Sequence, residues 1–350
     1  MRFGLFGSAQ SSSENLGAGV GQGFHDYIDY NVEAEALGYY STFLVEHHFT
    51  GWSQISATLN LLTWLAARTK TLRVGTAVLV LPWHNPVLLA EQAATLDLLS
   101  GGRLDFGIGK GYRHSEFSGF CIPIEEAEAR FEEGLEVIVK AWTSNERFSH
   151  AGRFWKFQDI IVEPSPRQRP HPPIWMAAGS EASIKKVAER GFNLLLDQFA
   201  SPEVIGQRIE YFKKQVATSK NIFDSMKVAV ARDVYVANNR ADKDEALQRH
   251  RAMRQRTVEV AKAPGRAGGS HILSYSLSDA STEQNALFGT PDEIADKLEK
   301  LEAVGVEYVL VSGAGGSRES LRRFAREIMP DFSKAKNAAT PNVEFDVAAI

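Results

Sequence analysis

Three titratable side chains, Glu46, His47 and His48, close a short apolar run, Ser41–Phe49 (Ser-Thr-Phe-Leu-Val-Glu-His-His-Phe). An imidazole ionises near neutrality, so it can take up or release a proton at ordinary pH. Adjacent residues on a strand point to opposite faces, so His47 and His48 cannot easily grip one metal ion. No metal site is expected. One ring of the pair is the candidate acid/base, and the other packs between barrel and helices. Glu46 shares a side with His48 and is read as orienting a neighbour or pairing with an arginine. The plain alternative is a structural histidine bonded to nearby backbone.

Two glycine-rich turns offer anion sites. Gly179-Ser180-Glu181-Ala182-Ser183 lies where a strand pattern hands over to a helix. Its first-turn N–H groups and the Ser180 and Ser183 hydroxyls can cradle a phosphate, with Lys110 adding a positive charge. Gly313-Ala314-Gly315-Gly316-Ser317 has the same properties, and residue physics does not rank the two. Trp52, Trp83, Tyr112, Phe117 and Phe120 suit a flat, partly apolar ligand. No Gly-x-Ser-x-Gly elbow marks an activated serine. No strand interior offers a lysine for a Schiff base.

These groups need a scaffold that brings distant strand ends together. Apolar strand patterns run over Arg2–Ser8, Ser41–His48, Leu72–Leu81, Arg103–Gly109, Ile174–Ala178, Phe192–Asp197, Met226–Val236 and Val306–Val311. Helical patterns follow them, opened by Asn85-Pro86, Ser180, Ser201-Pro202 and Thr290-Pro291-Asp292-Glu293. Lys110–Pro123 reads as a loop, and Phe148–Pro173 as a proline-rich excursion with a small hairpin near Gly152. Strand then helix, eight times, predicts an α/β fold: a single (β/α)8 TIM barrel over residues 1–330. A cover of about 238–288 is expected as an insertion between the seventh and eighth strands, lying over the mouth, with residues 331–350 as a C-terminal tail. In such a barrel the strand C-termini meet on one face, which is where the histidines, Lys110 and the glycine turns fall.

Composition narrows the class. The 350 residues are 44% hydrophobic and 23% charged, with a net charge of −4. No nucleic-acid or anionic-membrane partner is expected from that balance. Cys121 is the single cysteine, so no internal disulfide can form. A cytoplasmic location is expected, without signal peptide or membrane span.

Phe43–Phe49, Leu72–Pro82 and Gly101–Gly111, with Ala188-Glu189-Arg190-Gly191 and Gly289-Thr290-Pro291, resemble in this order the bacterial luciferase-like flavin monooxygenases. The resemblance runs from Met1 to about Pro330. It implies reduced FMN at the strand C-termini, supplied by a separate NAD(P)H:flavin reductase. It also implies a reaction with O2 through a flavin hydroperoxide and oxygenation of a small organic substrate, and the apolar, aromatic mouth without an arginine cluster favours an uncharged one. His47 matches the family's essential histidine, and His48 its neighbour. Lys110 falls where the luciferase has a phosphate-binding arginine. Gly179, Ser180 and Ser183 match the phosphate turn, which favours that turn over Gly313–Ser317, and Ala178 beside them is expected to bind the cofactor. Ala77 and Val78 match a cis peptide beside the flavin ring. Gly109 stands in place of a reactive cysteine, with Tyr112 nearby, and Gly179 in place of a glutamate. The family also implies a homodimer or homotetramer. Three rival readings stand beside it: a deazaflavin enzyme transferring hydride without O2, a non-catalytic flavin-binding protein, and a barrel acting on a sugar phosphate.

Overall fold

The computed structural model describes residues 1–11, 21–261, 284–313 and 318–333. Eight parallel strands close a ring: β1 (Arg2–Gly7), β2 (Ser41–Leu44), β3 (Arg73–Thr76), β5 (Leu104–Gly109), β8 (Ile174–Ala177), β9 (Asn193–Leu196), β10 (Val228–Val236) and β12 (Tyr308–Gly313), which returns to β1. Two short strands extend the sheet. The first, β4 (Leu79–Val80), pairs with β5, and the second, β11 (Leu287–Gly289), pairs with β10. An antiparallel hairpin, β6 (Phe148–Ala151) with β7 (Lys156–Ile160), spans Gly152 as expected.

The N-terminal half of the barrel interior is filled. Phe43, Trp175, Leu195, Tyr308 and Leu310 form a buried cluster. The rings of Phe43 and Tyr308 meet the Trp175 ring edge-on at 5.6 and 5.8 Å. A Cβ on Gly75 would lie 2.6 Å from the Phe43 ring, so only glycine fits there. Beneath this layer Arg73 grips Asp105 through Nε and Nη2 at 2.7 and 2.9 Å. The Trp175 indole donates to the same carboxylate at 3.0 Å. The hydroxyls of Ser41 and Tyr308 bond each other. These residues open their strands, so the N-terminal end of the barrel is sealed, and ligands are left the opposite end.

The surrounding helices start where their caps predict. Helix α3 (Pro86–Leu99) is capped by the Asn85 side chain, which accepts from the N–H groups of Val87 and Leu88. Helix α6 (Glu181–Glu189) has a reciprocal cap between Ser180 and Ser183, and the helix Pro291–Ala303 has one between Thr290 and Glu293. Helix α5 (Ala127–Thr143) packs on α3.

Four expectations change. The second strand ends at Leu44, so Glu46, His47 and His48 lie on the chain beyond it. Leu72–Leu81 is not one strand, because a cis peptide at Ala77–Val78 divides β3 from β4. Lys110–Pro123 contains a helix, α4 (His114–Gly119). The end of the expected cover, Leu287–Phe288, belongs to the sheet: it pairs with Val234 and Tyr235. Helix α8 (Arg240–Ala261) forms the start of that segment and packs against α4. Residues 262–283, the turn 314–317 and the tail beyond 333 lie outside the described residues.

Candidate active site

Beyond β2 the chain turns its two imidazoles toward different carboxylates. His47 Nδ1 is 3.0 Å from Glu116 Oε1, an oxygen that also accepts the His48 backbone N–H at 3.0 Å. His48 Nε2 is 3.0 Å from Glu46 Oε1, and His84 Nε2 reaches the same atom at 2.7 Å. The second Glu46 oxygen accepts the Val80 N–H at 2.7 Å. Glu46 therefore ties the stretch after β2 to β4 and to the turn that follows it. Its partners are two histidines and a backbone amide, not an arginine. Among the described residues no group of three or more His, Cys, Asp or Glu could hold a metal.

Electrostatics set the protonation states. Burial alone would raise the Glu46 carboxyl, but the bonds from His48, His84 and Val80 outweigh it and hold it at about 2. Burial pushes His47 below its usual value; Glu116 restores part of the shift, and Arg113 adds to the lowering. His47 is thus neutral at pH 7. A ring proton on Nδ1, donated to Glu116, leaves the Nε2 lone pair as the basic atom.

His48 lies among rings. Its imidazole is 4.8 Å from Phe120 and 5.9 Å from Trp83, edge-on to both. Trp83 stacks on Phe120 at 5.3 Å and meets Phe117 at 5.0 Å. Phe49 extends the group to the surface, where it is 59% exposed. Trp52 has no ring contact among the described residues.

The Ala77–Val78 peptide is cis, and the wall opposite is cut to fit it. A Cβ on Gly109 would lie 2.6 Å from Val78 Cγ2, so any larger residue there collides with Val78. The next residue, Lys110, is largely exposed and pairs with Glu128 at 2.8 Å. The other Glu128 oxygen takes Lys186 of α6 at 2.6 Å. Lys110 and Lys186 together hold the Glu128 carboxyl at about 2. One turn earlier on α6, the Ser180 and Ser183 hydroxyls bond each other at 2.9 Å and are exposed, preceded by Ala178 and Gly179. Glu128 therefore joins Lys110 to the last turn of α6. Tyr112 faces the Arg113 guanidinium, 5.9 Å from its carbon.

A second buried pair lies on the far side of the mouth. Asp233, in β10, accepts from His250 Nε2 of α8 at 2.8 Å. His250 also packs on Phe288 at 5.0 Å. Glu116, Arg113, Asp233 and His250 are absent from the sequence expectations; Arg113-His114-Ser115-Glu116 shows a helix start only as an acid in the first turn of a six-residue helix. An open groove of about 800 Å³ lies outside the barrel, along α5 and the hairpin. Its Glu133 is spent on the backbone N–H groups of Arg153, Phe154 and Trp155, so the groove is structural.

A closed parallel barrel with its polar groups at the strand C-termini is joined by a direct match: the luciferase-like monooxygenase family covers residues 1–308. The chain belongs to the luciferase-like monooxygenase family. It is 26% identical over 353 residues to the oxygenase component of the flavin-dependent trigonelline monooxygenase of Acinetobacter baylyi, covering 96% of this chain and 97% of that one. It is 28% identical over 288 residues to the FMNH(2)-dependent dimethylsulfone monooxygenase of Pseudomonas putida, covering 76% of each. Among solved structures, monooxygenase RslO1 from Streptomyces bottropensis superimposes with a TM-score of 0.79 at 26% identity, over 95% of this chain and 100% of that one. An F420-dependent secondary alcohol dehydrogenase shares the fold with a TM-score of 0.76 at 15% identity, over 94% and 98%. No helix among the described residues is long and apolar enough to cross a membrane.

Proposed function

We propose that this luciferase-like enzyme is the oxygenase component of a two-component system. It takes reduced FMN from a separate NAD(P)H:flavin reductase and uses O2 to oxygenate a small organic substrate. The observation that carries the reading is the His47–Glu116 pair: a neutral imidazole held at the barrel mouth with its basic nitrogen available. The surrounding residues fit a phosphorylated, planar cofactor. Gly109, without a Cβ, and the cis Ala77–Val78 peptide make one narrow wall for a ring. Exposed Ser180 and Ser183 hydroxyls at a helix start, with Gly179 and Lys110, suit a phosphate.

Reduced FMN, when bound, supplies the electrons that activate O2. His47 takes the substrate's proton at Nε2 and returns it at the end of the cycle. Glu116 keeps the ring in the tautomer that makes this possible. His48, bonded to Glu46 and walled by Phe120 and Trp83, positions the loop that carries His47. Helix α8 covers the mouth and excludes water. A homodimer or homotetramer is proposed with it, read out by light scattering.

A second reading keeps the fold and replaces FMN by a deazaflavin that transfers hydride; the fold-level likeness to an F420 enzyme favours it. One experiment separates the two. The protein is loaded anaerobically with reduced FMN or with reduced deazaflavin, then mixed with 18O2 and a substrate panel. Reduced FMN is expected to support O2 uptake and one 18O atom in product. Substrate reduction by deazaflavin without O2 uptake would overturn the proposal.

A further inference from the structure

Arg113 precedes α4 and is only 3% exposed. A guanidinium carries five N–H donors and keeps its charge at any ordinary pH. The carboxylate beside it is Glu116, with Nη1 3.9 Å from Oε1. That is charge proximity and not a hydrogen bond. The same oxygen is already taken at 3.0 Å by the His47 ring and by the His48 N–H. Among the described residues neither Nε nor Nη1 of Arg113 has a hydrogen-bond partner. The Trp83 indole N–H, one residue from His84 in the aromatic group around His48, is in the same condition.

Buried donors without acceptors are rare in native proteins and costly, most of all on a charged group. Here they sit beside the acid/base pair and not in a remote core. Arg113 also acts electrically on His47, which places its charge at the reacting end of the site. Lys110 is paired with Glu128, which also holds Lys186, and the Ser180 and Ser183 hydroxyls stand at the start of the same helix α6. A cofactor phosphate is thus provided for elsewhere, and the vacant N–H groups of Arg113 call for another oxygen.

We propose that Arg113 anchors the substrate through an anionic oxygen, and that the substrate is an aromatic carboxylate held next to His47. This rests on reading the mouth as the oxygenase site, and it replaces the expectation of an uncharged substrate. A carboxylate offers two oxygens that can accept from separate vacant N–H groups, and the rings of Trp83, Phe117 and Phe120 supply the apolar flank.

The test is calorimetric titration of the FMN-loaded full chain with benzoate and with benzamide, which has the same shape without the charge. Benzoate is expected to bind at least tenfold tighter. Arg113→Gln should lose that preference while FMN affinity and benzamide affinity stay unchanged, and Arg113→Lys should recover part of it. Equal binding of the two probes, no benzoate binding by the wild type, or loss of FMN from Arg113→Gln with benzoate retained would each overturn the proposal. If Arg113→Gln does not fold, the wild-type preference and the lysine variant still decide. The 18O2 experiment, run on the wild type, reports on the oxygenase reading separately: benzoate can bind in a protein that uses no O2.

Discussion

His47 owes its neutrality to its surroundings, and that has a pH signature. Its folded pKa lies below the ordinary 6.5 because burial outweighs the help from Glu116. The acid limb of kcat/KM is therefore expected to fall below pH 6.5, and a limb at or above that value counts against His47 as the base. In Glu116→Gln the raising influence of the carboxylate is gone. The limb should move further down while FMN affinity holds; an unmoved limb would remove Glu116 from the pair. The same depression bears on stability. Between the folded and unfolded pKa values the unfolded chain binds more protons, so this residue's contribution is complete above about 6.5 and is lost as pH falls through that window. His47→Gln should lower turnover by roughly 10²–10⁴-fold with FMN binding unchanged, measured as product formed per FMN oxidised.

At the scale of elements, two short segments meet at a carboxylate. Glu46 holds the chain after β2 to Val80 of β4 and to His84, and it is 2% exposed. Removing it strands two histidines and an amide. Glu46→Ala is expected to cost about 3–5 kcal/mol, seen as a lower urea midpoint at unchanged slope. Gly109→Ala should cost about 1–3 kcal/mol from the clash with Val78, and a wild-type midpoint would show that the wall gives way. Glu128→Gln should bind FMN several-fold tighter, because Lys110 and Lys186 no longer spend charge on a competing carboxylate. Weaker binding would place the phosphate elsewhere.

The barrel and most of its helix starts were legible because their signals are local. Asn85, Ser180 and Thr290 cap within three residues of themselves. The histidines and Lys110 were read as strand ends, and they lie on the chain just beyond β2 and β5. Their partners were not legible: Glu116 is 69 residues from His47, and His84 is 38 from Glu46. No spacing rule links such pairs. Helix α4 hid in a loop reading because six residues are too few for a helical period. The division of Leu72–Leu81 leaves its apolar pattern intact, so residue types alone read it as one strand.

Across the whole molecule, α8 closes toward α4 and sets His250 on Asp233. Leu247, 5% exposed, packs α8 to Ala286 and Phe288. Leu247→Ala should loosen that attachment and raise the fraction of consumed O2 released as H2O2, measured by peroxidase assay; unchanged coupling would argue against a covering role for α8. The packed floor of Phe43, Trp175 and Tyr308 over the Arg73–Asp105 clasp gives this arrangement its direction. Among the described residues this floor fills the base of the barrel, which leaves the strand C-termini as the way in for a guest. For the proposed cofactor and substrate this implies an ordered sequence of visits, the deeper guest entering before the shallower one and leaving after it.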